Sequence, residues 1–120
     1  MGPAWPLPMA ARRASDLRIA QLLVAHVYDV APEAVSSRSR RGPRVIEARQ
    51  VAMYLCHVEL GMPITLVARR FGRDRATARL ACRHVEELRE DPSRDRLLAL
   101  LESLLRQAVG LRSVCAAVLS

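Results

Sequence analysis

An all-α fold is predicted by three observations. The 120 residues are 51% hydrophobic, enough for one domain to bury a core without metal or disulfide staples. Aromatic mass is limited to one Trp, two Tyr and one Phe, so that core has to be built from Leu, Val, Ala and Ile. Apolar residues then recur at helical spacing along most of the chain, the pattern of packed helices.

The first 14 residues read as a flexible arm. Pro3, Pro6 and Pro8 crowd its start, and Arg12 and Arg13 follow the apolar stretch, the reverse order from a secretion signal. Ser15 is placed to cap a helix over residues 16–29, with Leu17, Ala20, Val24, Val27 and Tyr28 as its apolar stripe. Ala31-Pro32 breaks it, and residues 32–35 suffice for one short turn. Residues 36–44 form a basic loop, Ser-Ser-Arg-Ser-Arg-Arg-Gly-Pro-Arg, with both punctuating residue types. A helix over residues 45–60 follows, with Ile46, Val51, Tyr54, Leu55 and Val58 inward and Gly61 past its end.

Pro63 suits a first helical position, and Ile64, Val67 and Phe71 make one short helix that Gly72 ends. Asp74 caps the next helix, residues 75–90, which buries Ala78, Ala81, Cys82, Val85 and Leu88 and turns Arg75, Thr77, Arg79 and Arg83 outward. A short helix, a glycine turn and a longer helix that is polar in its first turn is the helix-turn-helix pattern. Asp91-Pro92 closes this domain, residues 15–92. The remaining segment, residues 93–120, carries Leu97, Leu101, Leu104, Ala108, Leu111, Cys115 and Val118 at alternating gaps of four and three. That stripe serves either packing on its own domain or contact with a second copy or protein partner. Glu102, Arg106 and Arg112 interrupt it too often for a membrane span.

Charge narrows the function. All 19 basic residues are Arg, which genome base composition explains as readily as function, so position carries the information. Residues 38–83 hold 11 Arg against Glu47, Glu59 and Asp74, a net +8, while the rest of the chain is −1. Such a one-sided segment points to a polyanion, most simply nucleic acid. Cys56, Cys82 and Cys115 are odd in number and widely spaced, as in a reduced, cytoplasmic chain without disulfides. Cys56-His57 and Cys82 with His84 offer zinc-type ligands, but Cys56 and Cys82 lie on apolar helical stripes where a small buried thiol is ordinary packing, and no nucleophile stands beside an oriented His. No cofactor, metal or enzymatic activity is expected.

The sequence resembles the C-terminal DNA-binding domain, domain IV, of the bacterial replication initiator DnaA. The resemblance spans about residues 24–91. It rests on Ala48-Arg49-Gln50-Val51-Ala52-Met53-Tyr54-Leu55, on the Phe71-Gly72-Arg73-Asp74 turn, and on Ala81-Cys82-Arg83-His84-Val85-Glu86-Glu87-Leu88-Arg89-Glu90. The family's ATPase has no counterpart here, as the chain contains no GxxxxGK[ST] loop. The resemblance implies a Trp repressor-like helix-turn-helix with an extra C-terminal helical segment. It also implies a minor-groove Arg at Arg41, a backbone-contacting Arg at Arg49, phosphate-approaching positions at Ile64 and Thr65, and a recognition tetrad Asp74-Arg75-Ala76-Thr77. The family's tetrad is Asp-His-Thr-Thr, so its ends match and its centre differs. The preceding turn is one glycine shorter, Glu47 stands where the family usually has Arg, and His57 replaces a basic residue.

The expected DNA-contacting set is therefore Arg38, Arg40, Arg41 and Arg44 in the loop, with Arg49, Ile64, Thr65, Arg73, Asp74, Arg75, Ala76, Thr77 and Arg79. The expected partner is double-stranded DNA at the nucleoid, read by a transcription regulator. A replication-control protein and an interaction adaptor with a degenerate helix-turn-helix are the alternatives. A second copy or partner is expected to meet Leu97, Leu101, Leu104, Ala108 and Leu111.

Overall fold

The computed structural model describes residues 6–36 and 42–120, which form six helices and no strand. These are α1 (Met9–Tyr28), α2 (Pro32–Ser36), α3 (Pro43–Val58), α4 (Ile64–Arg70), α5 (Arg75–Leu88) and α6 (Pro92–Leu119). The all-α expectation holds. The helix that organises the rest is α3, because its sequence leaves almost no polar side. Val45, Ala48, Val51, Ala52, Met53, Tyr54, Leu55 and Cys56 are buried around its whole circumference. A helix apolar on all sides has to be enclosed, and α1, α2, α4 and α5 all pack against α3.

The first helix starts about two turns before the expected Ser15 cap. Residues 9–14 are Met, Ala, Ala, Arg, Arg and Ala, all strong helix formers, and propensity carries the helix back to Pro8 without a side-chain cap. The expected arm is thus helical from Met9, and residues 1–5 lie outside the described residues. Leu17, Ala20 and Val24 face inward as expected, whereas Val27 is exposed. Val58, expected inward on α3, is exposed as well, although Leu55 and Cys56 of the same turn are fully buried.

The last helix uses a different side from the one its heptads implied. Leu98, Leu101 and Leu105 enter the common core, while Leu104, Leu111, Cys115 and Val118 lie exposed and Leu97 and Ala108 are half-buried. Residues 97, 98, 100, 101, 104 and 105 are all Leu, so several stripes fit the sequence and packing against α1 selects one. Leu101 is therefore unavailable to a partner.

Four arginines fasten α6 to its neighbours. Arg89, at the end of α5, donates to Asp95 at 2.7 Å and Glu102 at 2.9 Å, and also to the Tyr54 hydroxyl. Arg94 donates to Glu47 of α3 at 3.1 Å, Arg106 to Glu59 at 2.7 Å, and Arg112 to Asp16 of α1. Burial pushes the Glu47 carboxyl up, but hydrogen bonds from Arg94 and Tyr28 and the charge of Arg94 outweigh it and hold the group below its ordinary value.

Two measurements check this packing. Leu101→Ala should cost about 2–5 kcal/mol in urea unfolding, because it opens a cavity in the shared core. Glu47→Gln should lower Tm at neutral pH by about 2–6 °C. A carboxyl depressed in the folded state contributes its stability above the unfolded pKa and loses it as pH falls through the folded one. The Tm gap to wild type should therefore close on acidification through the carboxylate range.

Candidate nucleic-acid interface

The helix-turn-helix is built around Phe71, whose ring is buried under α4 and α5. The chain reverses at Gly72, where φ is 64°, a left-handed conformation that glycine adopts without steric cost. The Arg73 N–H closes the turn on the Ala68 carbonyl at 2.8 Å. Asp74 then caps α5 as expected, its carboxylate accepting from the Thr77 N–H at 2.7 Å. That backbone bond holds the Asp74 carboxyl below its ordinary value, so the cap is charged at neutral pH.

With the helix start fixed, Arg75, Ala76, Thr77 and Arg79 all stand exposed on its first turns. Thr65 is exposed on α4 and Ile64 half-buried. Arg73 is half-buried, with Nη1 donating to the Phe71 carbonyl at 3.3 Å. Arg44 is exposed in the first turn of α3. Arg38, Arg40 and Arg41 lie outside the described residues.

Arg49 differs from the rest of the expected set. It is 5% exposed, and its Nη2 donates to the Ala34 carbonyl at 2.8 Å. It therefore ties α2 to α3, just before the arginine-rich loop, instead of projecting into solvent.

The start of α3 lies against α5. Ile46, Gln50, Thr77 and Leu80 line one shallow groove of about 270 Å³, together with Arg49, Met53, Arg73 and Ala81. A second hollow joins Gly42, Pro43, Glu47 and His84. Gly42 and Pro43, which lead into α3, accordingly lie beside the flank of α5. Sequence reasoning missed Gln50 and Leu80. Leu80 lies three residues after Thr77 and four after Ala76, a spacing that places it on their face of the helix, but an isolated Leu on a polar face carries no signal by itself.

Ion pairing separates two kinds of arginine. Among the described residues, the pairs fall on Arg89, Arg94, Arg106 and Arg112, and none involves Arg44, Arg69, Arg70, Arg75, Arg79 or Arg83. Those six belong to the +8 segment, and Arg12, Arg13, Arg18 and Arg96 outside it are likewise absent from these pairs.

The family model for the bacterial dnaA protein helix-turn-helix matches residues 19–85. The chain belongs to that family. Chromosomal replication initiator protein DnaA of Bartonella quintana (strain Toulouse) is 37% identical over 91 residues, 75% of this chain and 18% of that protein. A crystal structure of a DNA replication initiation factor superposes with a TM-score of 0.76 at 31% identity, covering 83% of this chain and 31% of the other. Replication initiator DnaA bound to AMPPCP and single-stranded DNA gives a TM-score of 0.72 at 31% identity, covering 83% and 30%. The chain thus spans under a third of the length of these relatives.

The departures from the DnaA pattern now have positions. Glu47 is half-buried, held by Arg94 and the Tyr28 hydroxyl, so the position that usually carries a DnaA Arg serves here to anchor α6. His57 donates from Nδ1 to the Met62 carbonyl at 2.7 Å and steadies the link between α3 and α4. Arg75 and Ala76 occupy the exposed first turn itself, so this departure changes the surface and leaves the scaffold intact. Burial pushes the Cys56 thiol up to about 12, which marks it as packing. Among the described residues no cluster of three or more His, Cys, Asp or Glu is placed to hold a metal, and no helix is long and apolar enough to cross a membrane.

Removing the cap tests the geometry of the first turn of α5. Asp74→Ala should speed hydrogen exchange at the Thr77 amide about fivefold or more, as the first turn of α5 frays, while amides in α3 keep their protection.

Proposed function

We propose that this chain binds double-stranded DNA, reading base edges in the major groove with the first turn of α5, and acts as a transcription regulator. The observation that carries the reading is the uncompensated Arg75 on an exposed, capped helix N-terminus, beside the α3 start that the arginine-rich loop enters. A helix presents its first turn to base edges when it enters the groove, and Arg there pairs with guanine O6 and N7. Thr77 and Arg79 flank it, and Ala76 offers only a methyl contact, of the kind a thymine methyl accepts.

Arg38, Arg40, Arg41 and Arg44 take the sequence-independent share of the contact, on phosphates or within a narrow minor groove. Thr65 and Ile64 approach the backbone from α4. Arg49 acts indirectly by holding α2 and so the start of the loop. With Arg-Ala in the middle of the tetrad, the bound sequence differs from the one read by the His-Thr pair. Binding needs no cofactor, and the place of action is the nucleoid in the cytoplasm.

A replication-control role is the second reading, and it is favoured by the relatives, which are named as replication initiators. Chromatin immunoprecipitation separates the two: peaks at promoters support regulation of transcription, and clusters near the origin support replication control.

The chemistry is tested on a duplex selected from a random pool. Arg75→Ala should lose about 1–3 kcal/mol of affinity and relax selectivity at one base pair. If about five to eight phosphates are neutralised, log affinity should fall against log salt with a slope of about −4.5 to −7, and Arg44→Ala should make it shallower by about 1. Unchanged affinity in both Arg75→Ala and Arg41→Ala would leave an interaction adaptor as the better account.

A further inference from the structure

The structure leaves one large surface that neither the core nor the proposed DNA contact uses. On α6, Leu100, Leu104, Leu111, Val114, Val118 and Leu119 are between 48% and 75% exposed. Leu100, Leu104, Leu111, Val114 and Val118 share one seam at gaps of three and four, with Gln107 in the remaining position. The opposite side of the same helix already packs through Leu98, Leu101 and Leu105. A helix that is apolar on both sides is stable in water only when both are covered.

From this we infer that the outer face of α6 is an interface between two copies of this chain. Charge is the first reason. Beyond Arg106 the helix carries a single charged side chain, Arg112, and that one turns away to pair with Asp16. The outer face from 107 to 119 is therefore uncharged in a chain of net charge +7. Such a face has nothing to offer an acidic or basic partner, and its complement is another neutral, heptad-spaced helix face, which a second α6 supplies.

Steric detail is the second reason. Gly110 sits in the middle of α6, where glycine lowers helix stability, yet a Cβ added there would meet nothing within 4 Å. The fold of one chain has no use for it. Ser103, Gly110 and Ala117 recur every seven residues beside the seam, and small side chains in a row let a second backbone approach closely. Gln107 fits the same picture, because an amide both donates and accepts and is satisfied by the same groups on a second copy.

Area is the third. Half the circumference of a helix about 11 Å across, over the 20 residues from Leu100 to Leu119, gives about 500 Å² from each copy. The sum of about 1,000 Å² meets the lower bound for a specific interface, as in a dimer of micromolar affinity.

Sedimentation equilibrium of the full chain, without DNA, tests this independently of the DNA-binding proposal. The mass should rise from monomer towards dimer between about 1 and 100 µM. Leu111→Glu should stay monomeric with an unchanged circular dichroism spectrum, since Leu111 is exposed and outside the core. Gly110→Leu, which has room within one chain, should weaken association about tenfold or more. Leu22→Glu, exposed on α1, should dimerise as wild type does. A wild-type chain that remains monomeric across the range, or a dimer that survives Leu111→Glu, overturns the inference.

Discussion

The enclosure of α3 is the constraint on which the rest of the structure depends. Its apolar circumference requires cover from every direction, and α1, α2, α4 and α5 each supply part of it. The placement of α5 follows directly. Ala78, Ala81 and Val85 give it one buried stripe, and that stripe lies against α3. Once those residues are docked, the opposite side of α5 has to face solvent, and Arg75, Ala76, Thr77 and Arg79 are carried there. The exposed first turn is thus a consequence of where the core ends. Phe71 and the Asp74 cap then fix how the turn enters it, so the orientation of the surface residues is set by groups that do not take part in the proposed contact.

Charge is partitioned by the same architecture. The chain has a single type of basic residue, and its arginines divide by partner. Arg89, Arg94, Arg106 and Arg112 meet carboxylates across helix boundaries, which fastens α6 to α1, α3 and α5 and silences their charge. Glu47 is pivotal here. By pairing with Arg94 it removes itself from the basic segment, although it lies in the middle of that segment in sequence. Each such pair, being partly exposed, adds little stability by itself. Its larger effect is spatial, since Arg44, Arg69, Arg70, Arg75, Arg79 and Arg83 of the basic segment stay outside these pairs.

Sequence made the middle of the fold legible and left its two ends open. From residue 61 to residue 92 the boundaries are announced by residues with local mechanisms: Gly61 past a helix end, Pro63 at a helix start, Gly72 in the turn, Asp74 as a cap and Asp91-Pro92 at the close. Each acts within a few residues, so reading it needs no knowledge of the fold. The start of α1 has no such marker, and an Ala-Arg run extends a helix silently. In α6 the difficulty is the reverse, because leucine occupies positions on every side. Leu97, Leu101 and Leu104 and Leu98, Leu101 and Leu105 are equally good stripes until α1 selects one. Arg49 was legible as important but not in its role. A buried Arg bonded to a carbonyl in another helix is a tertiary fact, and only the approach of Ala34 reveals it.

The first turn of α5 holds a conflict that the fold leaves standing. A helix N-terminus carries a partial positive charge and favours acidic residues in its first turn. This one has no acidic residue there and has Arg75 as its first residue, with Arg73 two positions earlier. The Asp74 carboxylate offsets part of the repulsion, which gives the cap an electrostatic task besides its hydrogen bond. By contrast, Asp91 caps α6 with Asp95 in its first turn. A conflict left standing on an exposed turn suits a surface that meets a negatively charged partner. Under the proposed reading, phosphates and guanine acceptors supply the negative potential that the turn lacks. Arg75 then ceases to oppose the helix and becomes its point of contact.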